Sequence, residues 1–307
     1  MPRGRCGGQR ACAVAVAGPR CRSTGHGARG LAVWTNDRFC VSWQLNRPRL
    51  LRLPVQTGIA DAQARETTMA LSAATRDKLK TVSTATITTA LFKRGFRVQM
   101  IQGVVPLDPT KPTMVGEAFT LRYIPAREDL NSLEVFKDPE HPQRKAVEQD
   151  CPAGAVFVID SRKDARAASA GSILVSRLMV RGVAGIVTDG GFRDAAEIAK
   201  LDIPSFHQRP AAPTNLTLHH AIDTNVPIAC GDAPVFPGDV IVGDGDGCVV
   251  IPAHLADEIA DEAVEMTAYE DFATEKVLEG RSIRGLYPAT DPQARVDFDA
   301  WRKAKGR

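Results

Sequence analysis

The sequence lacks any segment long and apolar enough to span a lipid bilayer, which argues against an integral membrane protein. Its 307 residues are 44% hydrophobic and 24% charged, proportions that are ordinary for a soluble globular protein. Beyond residue 68 there are only three cysteines, Cys151, Cys230 and Cys248. They are too far apart for zinc-ligand spacing and indicate no disulfide framework. We therefore expect a cytoplasmic protein whose cysteines are small buried residues in a reducing environment.

Lysine is absent from the start of the chain, and acidic residues are scarce there. Residues 1–68 carry 11 Arg and 3 acidic residues, whereas the remainder has 28 basic and 33 acidic residues. The mildly acidic body argues against a broad nucleic-acid footprint. Because residues 1–68 also lack a sustained period of 2 or 3.6, we expect them to be unpacked. They are either a leader or sequence upstream of a true start at Met69, and we favour the second interpretation.

Apolar periodicity divides the body into helices and strands. The predicted helices are 70–80, 83–93, 171–182 and 253–279, and Ser83 or Thr84 is a candidate N-cap. The predicted strands are 118–124, 151–160, 183–187, 203–207, 217–222, 226–230, 239–244 and 248–252. This order predicts one α/β domain with a mixed sheet over residues 69–287. We expect the polar C-terminal tail, 288–307, to be loose.

The stretch "VTDGGFRDAAEI" (187–198) places two opposite charges where a strand meets a helix. The apolar run 183–187 is typical of a buried strand, and the alanine-rich run 194–200 of a helix start. Arg193 and Asp194 therefore lie at a strand-to-helix junction, where open α/β proteins place ligands. The simplest alternative is that Asp194 is a helix N-cap beside a surface arginine.

The run of small residues before Gly171 indicates a second helix start that could bind a ligand. Glycine lets the backbone pass close to a ligand, and the helix that follows offers unpaired N–H groups to an anion. The two helix starts together would suit a small carboxylate and a divalent cation. The planar guanidinium of arginine binds a carboxylate with two hydrogen bonds, and an aspartate carboxylate binds a hard cation.

Three other motifs are weaker candidates for a site. The stretch "GDGDG" (243–247) lacks the spacing of a dinucleotide loop or a calcium loop, and it predicts a tight turn between strands. His219 and His220 are adjacent, so in a strand they point to opposite faces and cannot share a metal. His207 lies at a strand end near the Arg-Asp junction and could reach a ligand.

Three segments, in this order, resemble one family. They are "TATITTAL" (84–91), "RGVAGIVTDGGFRDAAEI" (181–198) and "VPIACGDAPVFPGDVIVGDGDGCVVIPAHLADEI" (226–259). From about Thr84 to Glu262 the sequence is similar to the RraA-like, or 4-hydroxy-4-methyl-2-oxoglutarate (HMG/CHA) aldolase, family. The resemblance implies a compact β/β/α fold like a swivelling domain, with a mixed sheet and a C-terminal helix. It also implies homotrimers or hexamers with sites between subunits.

The aldolases of this family are metal-dependent lyases that act on pyruvate-derived 2-oxo acids. By position, Asp194 would hold Mg²⁺ or Mn²⁺, and Arg193 would bind the 2-oxo acid and stabilise its enolate. The substrate carboxylate would lie against the backbone of four residues: Gly171, Ser172, Ile173 and Leu174. The resemblance thus implies a divalent-metal-dependent lyase for a small 2-oxo, hydroxy or sugar acid. Aldol cleavage, decarboxylation and dehydration all remain open.

Two positions depart from the family pattern. Where the aldolases carry an acidic residue that helps to deliver a proton, this sequence has Ser172, which is not a strong acid or base near neutral pH. Thr89 stands where many members carry aspartate. Ser172 remains a candidate catalytic residue beside Arg193, and a substitute acid or base could come from 127–129 (Arg-Glu-Asp), from His207 or from a neighbouring subunit.

The alternative function is that of the family's namesake, a regulator that binds a ribonuclease without chemistry of its own. The Arg193–Asp194 pair weighs against it, because an interaction surface needs no metal anchor behind a glycine turn. Ser172 weighs in its favour. We expect a small carboxylic acid as the ligand, with neither nucleic acid nor membrane as a partner.

Overall fold

A computed structural model describes residues 70–307, so the expectations for residues 1–68 lie outside the described range. None of the helices in this range is long and apolar enough to cross a membrane. The helices are α1 (Ala73–Leu79), α2 (Thr84–Lys93), α3 (Pro142–Lys145), α4 (Ser172–Val180), α5 (Ala195–Ile198), α6 (Ala256–Leu278) and α7 (Pro292–Lys305). Shorter helical turns cover Leu133–Lys137, Ala146–Asp150, Asn215–Thr217 and Ala253–Leu255.

The strands of the same range are short except for the third. They are β1 (Met100–Ile101), β2 (Val105–Pro106), β3 (Met114–Pro125), β4 (Val156–Asp160), β5 (Ala168–Ala170), β6 (Gly185–Thr188), β7 (Gly191–Phe192), β8 (Ser205–His207), β9 (Arg209–Pro210), β10 (His219–Thr224), β11 (Ile228–Cys230), β12 (Ala233–Val235), β13 (Val240–Asp244) and β14 (Gly247–Ile251). Each strand predicted from the sequence overlaps one of these.

Local sequence signals account for several element boundaries. The Ser83 hydroxyl accepts a hydrogen bond from the backbone N–H of Thr86, which confirms Ser83 as the N-cap of α2. Ser72 caps α1 in the same way. The "GDGDG" stretch forms the predicted tight turn, since Asp244 of β13 lies opposite Gly247 of β14.

The main sheet is mixed, as the sequence predicts. Strands β3, β4, β6 and β8 run parallel to one another, and the order is β1-β14-β13-β3-β4-β6-β8-β2. The outer pairs are antiparallel, and β10 pairs with the second half of β3. The central strand β4 is buried along its whole length, which explains its unbroken apolar run "VFVI". The predicted α/β class with a mixed sheet and a C-terminal helix is confirmed.

Two apolar layers hold the helices on the sheet. Helices α1, α2 and α6 pack on β13 and β14 through side chains such as Leu79, Ile87 and Ile259. Helix α4 packs elsewhere, with Val175 and Leu178 in a cluster that also contains side chains of β3, β4 and β6. Burying each such side chain stabilises the fold by roughly 1.5–3 kcal/mol. The second layer fixes α4 relative to the parallel strands, and so fixes the residue at its start.

The expectation of a loose polar tail from residue 288 is wrong. Residues Pro292–Lys305 form α7, which Asp291 caps by accepting a hydrogen bond from the backbone N–H of Gln293. Phe298 and Trp301 pack against Phe272 of α6, with ring centroids 5.6 and 5.8 Å from the Phe272 ring. The helical spacing of Ala294, Phe298 and Trp301 gives one apolar stripe within an otherwise charged segment.

Candidate active site

A small parallel sheet, β5-β7-β9, brings the predicted site residues together. Ala170 of β5 pairs with Phe192 of β7, and Phe192 pairs with Pro210 of β9. The carboxyl ends of parallel strands meet at one edge of a sheet, which is where α/β proteins bind ligands. Gly171 follows β5 and Arg193 follows β7, so the two helix starts inferred from the sequence lie side by side.

The Asp-Gly-Gly turn before Arg193 is required by close packing. A Cβ atom on Gly190 would lie 2.6 Å from the Cβ of Ser161, and one on Gly191 would lie 2.5 Å from the Cβ of Ala211. The buried carboxylate of Asp189 accepts hydrogen bonds from the backbone N–H groups of Ser161 (2.6 Å), Lys163 (3.1 Å) and Gly231 (3.1 Å). Burial raises the Asp189 pKa, against the effect of these hydrogen bonds. This aspartate anchors loops and does not face the site.

Asp194 is not a conventional helix cap. Its backbone is left-handed, with φ 58° and ψ 37°, and its side chain makes no capping hydrogen bond to the one-turn helix α5. The carboxylate turns instead towards the start of α4, where the Ser172 hydroxyl donates to its Oδ2 at 3.3 Å. Arg193 Nε lies 3.8 Å from Asp194 Oδ1. The N-cap interpretation is therefore wrong, and the carboxylate is available to a ligand.

Gly171 allows the Asp194 carboxylate to approach the start of α4. A Cβ atom on Gly171 would lie 3.3 Å from Asp194 Oδ2, tighter than an ordinary contact. Gly171 is also the N-cap residue of α4 and has no side chain with which to satisfy the first N–H groups of the helix. An anion can accept from those groups, because the first N–H groups of a helix have no partner within it.

These residues line one cavity of about 400 Å³. All six predicted site residues contribute to its wall: Gly171, Ser172, Ile173, Leu174, Arg193 and Asp194. Two further segments complete the cavity wall, through residues 135–136, 141, 143–144 and 214–216. The added wall contains the apolar side chains of Val135, Phe136 and Leu216 and the polar ones of His141, Gln143, Thr214 and Asn215, and its charged member is Arg144.

The cavity wall contains a hydrogen-bonded support that the sequence did not indicate. Gln143 is buried; its Nε2 donates to the Ser169 carbonyl at 2.6 Å, and its Oε1 accepts from Asn215 at 2.8 Å. The Tyr123 hydroxyl donates to the same carbonyl at 2.8 Å. These bonds tie β5 to the excursion around α3, so this part of the cavity wall is held by buried polar contacts.

The substitute acid–base residues considered from the sequence do not line this cavity. Arg127 and Asp129 form an exposed ion pair with each other, and Glu128 is exposed beside them. His207 is buried and stacks on Phe192 at 5.5 Å, and burial lowers its pKa to about 4. Thr89 lies on exposed α2 surface and donates to the Ala85 carbonyl.

His219 and His220 lie on opposite faces of β10, as predicted. His219 is buried and stacks on Tyr123 with a centroid distance of 5.3 Å. His220 lies beside His141, with ring centroids 5.9 Å apart. His141 is the titratable cavity residue that sequence reasoning missed. The only local signal was its place before Pro142, at a helix start inside a charged excursion.

The donor set around Asp194 limits the kind of cation that fits. Within residues 70–307, no three His, Cys, Asp or Glu side chains lie close enough together to hold a metal ion. A structural zinc site, which needs four protein ligands, does not fit that arrangement. A hydrated Mg²⁺ or Mn²⁺ does fit, because Mg²⁺ is commonly held by one or two carboxylates and keeps several waters.

The fold and cavity define a mixed α/β protein with a carboxylate–guanidinium pair at a strand-to-helix edge. A family model described as "RraA-like: Aldolase/RraA" matches residues 84–250. That segment contains the whole of the small parallel sheet and the six predicted site residues. The chain therefore belongs to the RraA-like family, as its sequence motifs predict.

Curated relatives match part of the chain. A protein of Halalkalibacterium halodurans named "Putative 4-hydroxy-4-methyl-2-oxoglutarate aldolase" is 35% identical over 134 residues, which cover 44% of this chain and 62% of the relative. An uncharacterized protein of Methanocaldococcus jannaschii is 36% identical over 109 residues, 35% of this chain and 51% of the relative. The chain thus spans half to three fifths of the length of these relatives.

Solved structures share the fold. A structure described as Streptomyces coelicolor RraAS2, "an unusual member of the RNase ES inhibitor RraA protein family", has a TM-score of 0.58 and 29% identity. The aligned region covers 66% of this chain and 96% of the RraAS2 chain. An uncharacterized protein from Pseudomonas syringae pv. tomato has a TM-score of 0.60 at 23% identity, and covers 71% and 98% of the two chains.

Proposed function

We propose that this protein is a divalent-metal-dependent lyase that acts on a small 2-oxo acid through an enolate. One observation carries the proposal: the Asp194 carboxylate turns into the cavity beside Arg193 and the start of α4 instead of capping its own helix. The name of the Halalkalibacterium halodurans relative supports the same reaction class. The residues present fit a hydrated Mg²⁺ or Mn²⁺ at Asp194.

Each group of the cavity has a defined task in this proposal. Asp194 holds the cation together with water. When bound, the cation acts as a Lewis acid that polarises the 2-oxo carbonyl. Arg193 lies on the same side of the cavity and neutralises the charge that develops on the enolate oxygen. The first N–H groups of α4 donate hydrogen bonds to the substrate carboxylate. Ser172 orients Asp194 through its hydroxyl.

The rest of the cavity wall carries both apolar and polar side chains. Val135, Phe136 and Leu216 offer apolar contacts, and Thr214 and Asn215 offer hydrogen-bonding groups. Aldol cleavage, decarboxylation and sugar-acid dehydration are therefore all compatible with this cavity. Arg144, which is exposed at the rim, is available to a second carboxylate.

We also propose assembly as a homotrimer or hexamer, with the cavity near a subunit boundary. Ile173, on the cavity wall, is 83% exposed, and Leu133, on the turn beside Val135 and Phe136, is 73% exposed. Large apolar side chains that cluster on a surface mark interaction sites. A neighbouring subunit that covers this rim would exclude water from the cavity.

A second candidate function is regulation by binding a ribonuclease. It is favoured by the 29% identity to RraAS2, which is described as a member of the RNase ES inhibitor family. Such a regulator has no need for Asp194 to face a cavity. Substitution of Asp194 therefore separates the two functions, because it would abolish a lyase and leave partner binding intact.

The proposal predicts metal-dependent release of pyruvate. The protein would be incubated with oxaloacetate, 4-hydroxy-4-methyl-2-oxoglutarate and a panel of sugar acids, with Mg²⁺ or Mn²⁺ and separately with EDTA. We expect turnover of a 2-oxo acid with metal and a loss of at least about 100-fold in EDTA, because the Lewis acid supplies several kcal/mol of charge stabilisation. Equal turnover in EDTA would contradict the proposal. Metal binding without turnover on the whole panel would favour the regulator.

A further inference from the structure

His141 is a buried histidine in the cavity wall, and none of the contacts described so far accounts for its presence there. It is 7% exposed and immediately precedes Pro142 of α3. Its Nε2 is buried and has no hydrogen-bond partner among residues 70–307. Buried polar groups in native proteins nearly always have partners, and an exception calls for a functional explanation such as a catalytic role.

The surroundings of His141 keep its imidazole neutral near pH 7. Burial is the main cause of its lowered pKa, and the nearby His220 and Arg144 lower the pKa further, against an opposing effect of Asp138. The His220 ring lies beside it at an interplanar angle of 56°, and the Nδ1 of His220 also has no partner within the described part of the chain. A neutral imidazole can accept a proton and then donate it.

The rest of the cavity wall offers no equivalent group. The polar side chains that share it are Gln143, Arg144, Ser169, Ser172, Arg193, Asp194, Thr214 and Asn215. Amides, hydroxyls and guanidinium groups do not exchange protons readily near pH 7. Asp194 is the proposed cation ligand, and a carboxylate bound to a cation is a poor base. Among the side chains of this wall, His141 is therefore the one candidate to replace the carboxylate that is missing at Ser172.

We propose that His141 is the proton-transfer residue of this cavity, in place of the acidic side chain that Ser172 replaces. The inference rests on the proposed lyase function. In aldol cleavage, the imidazole takes the proton of the substrate's hydroxyl group. The bond between the carbinol carbon and C3 breaks, the departing half leaves as a ketone, and the electron pair passes into the enolate of pyruvate. The imidazolium then gives the proton to C3 of the enolate, which yields pyruvate and restores neutral His141.

The reverse of the last step is measurable without knowing the natural substrate. Pyruvate would be incubated in D₂O with the full chain and Mg²⁺ or Mn²⁺, and exchange of its methyl protons would be followed by NMR. The variants are His141→Gln, which is close in size, and His141→Ala, with and without added imidazole. His254→Gln is the matched control, because His254 is exposed and lies outside the cavity.

We expect both His141 variants to lower the exchange rate by at least about 100-fold, the usual range for a general acid–base group. The pyruvate KM and the Mn²⁺ affinity should change by less than about threefold, because His141 binds neither the cation nor the carboxylate. Imidazole should restore exchange to His141→Ala and not to His141→Gln. We expect the rate of the unaltered protein to fall at acid pH, where His141 becomes protonated, and we expect this fall to be absent in His141→Gln.

These experiments distinguish failure of the role of His141 from failure of the proposed lyase function. Metal-dependent exchange that is unchanged in His141→Gln would overturn the role of His141 and leave the lyase proposal standing. The same holds if His141→Ala lowers the rate, Mn²⁺ binding and thermal stability together and imidazole does not restore the rate, since the role is then structural. No exchange by the unaltered protein with either cation would overturn both proposals.

Discussion

Asp194→Asn is expected to lower kcat for pyruvate release by about 1,000-fold or more and to weaken Mn²⁺ binding. The neutral amide removes the charge that anchors the cation. The cation is the Lewis acid of the reaction and stabilises the transition state by several kcal/mol, equivalent to about three powers of ten in rate. Asparagine is the appropriate replacement because it tolerates the left-handed backbone of Asp194 (φ 58°), whereas alanine would strain it. The measurements are steady-state kinetics and Mn²⁺ titration.

Asp202→Asn is the matched control for this experiment. The Asp202 side chain is 96% exposed and lies outside the cavity, so the same chemical change there should leave kcat and Mn²⁺ affinity unaltered. Turnover by Asp194→Asn within threefold of the unaltered protein would mean that the cation, if required, binds elsewhere.

Arg193→Ala is expected to lower kcat/KM by about 100- to 1,000-fold, the usual cost of removing one donor to a developing oxyanion. Both constants should change, because Arg193 is proposed to bind the ground-state acid and to stabilise the enolate. Arg193→Lys should recover only part of the loss, since an ammonium group cannot replace the planar guanidinium fork. Mn²⁺ affinity should fall little in either variant.

Arg284→Ala is the control for charge alone, because Arg284 is exposed and lies outside the cavity. If Arg193→Lys were fully active, a diffuse positive potential would suffice and the proposed directed contact with the enolate oxygen would be wrong. A loss confined to KM would assign Arg193 to substrate binding only.

The sequence predicts the two helix starts of the site well because the signals are local. A Gly-Gly bend after an apolar strand and a glycine before a helical apolar pattern both specify backbone geometry within a few residues. The direction of the Asp194 side chain was not predictable in this way. Aspartate before an alanine-rich segment is the usual N-cap pattern, and only the left-handed backbone at Asp194 turns the carboxylate away from α5.

Other parts of the site depend on contacts between distant residues. Strands β5, β7 and β9 have two or three residues each, too few to show alternation, and they form through pairing with one another. His141 reaches the cavity only because α3 packs against β10, about 80 residues further along the chain. Helix α7 was not predicted for a different reason. Its sequence is mostly polar and charged, so the helical spacing of Ala294, Phe298 and Trp301 was not recognised.

The most direct test of the account is the binding of oxalate, a planar dianion that resembles the enolate of pyruvate. Analogues of a charge-delocalised intermediate bind tightly only where the groups that stabilise that intermediate are in place. Oxalate would be titrated into the protein by calorimetry with Mn²⁺, and separately in EDTA. The account predicts binding that requires Mn²⁺, is lost in Asp194→Asn and is weakened at least about tenfold in Arg193→Ala. Oxalate binding that is equally strong in EDTA, or unaffected by Asp194→Asn, would contradict it.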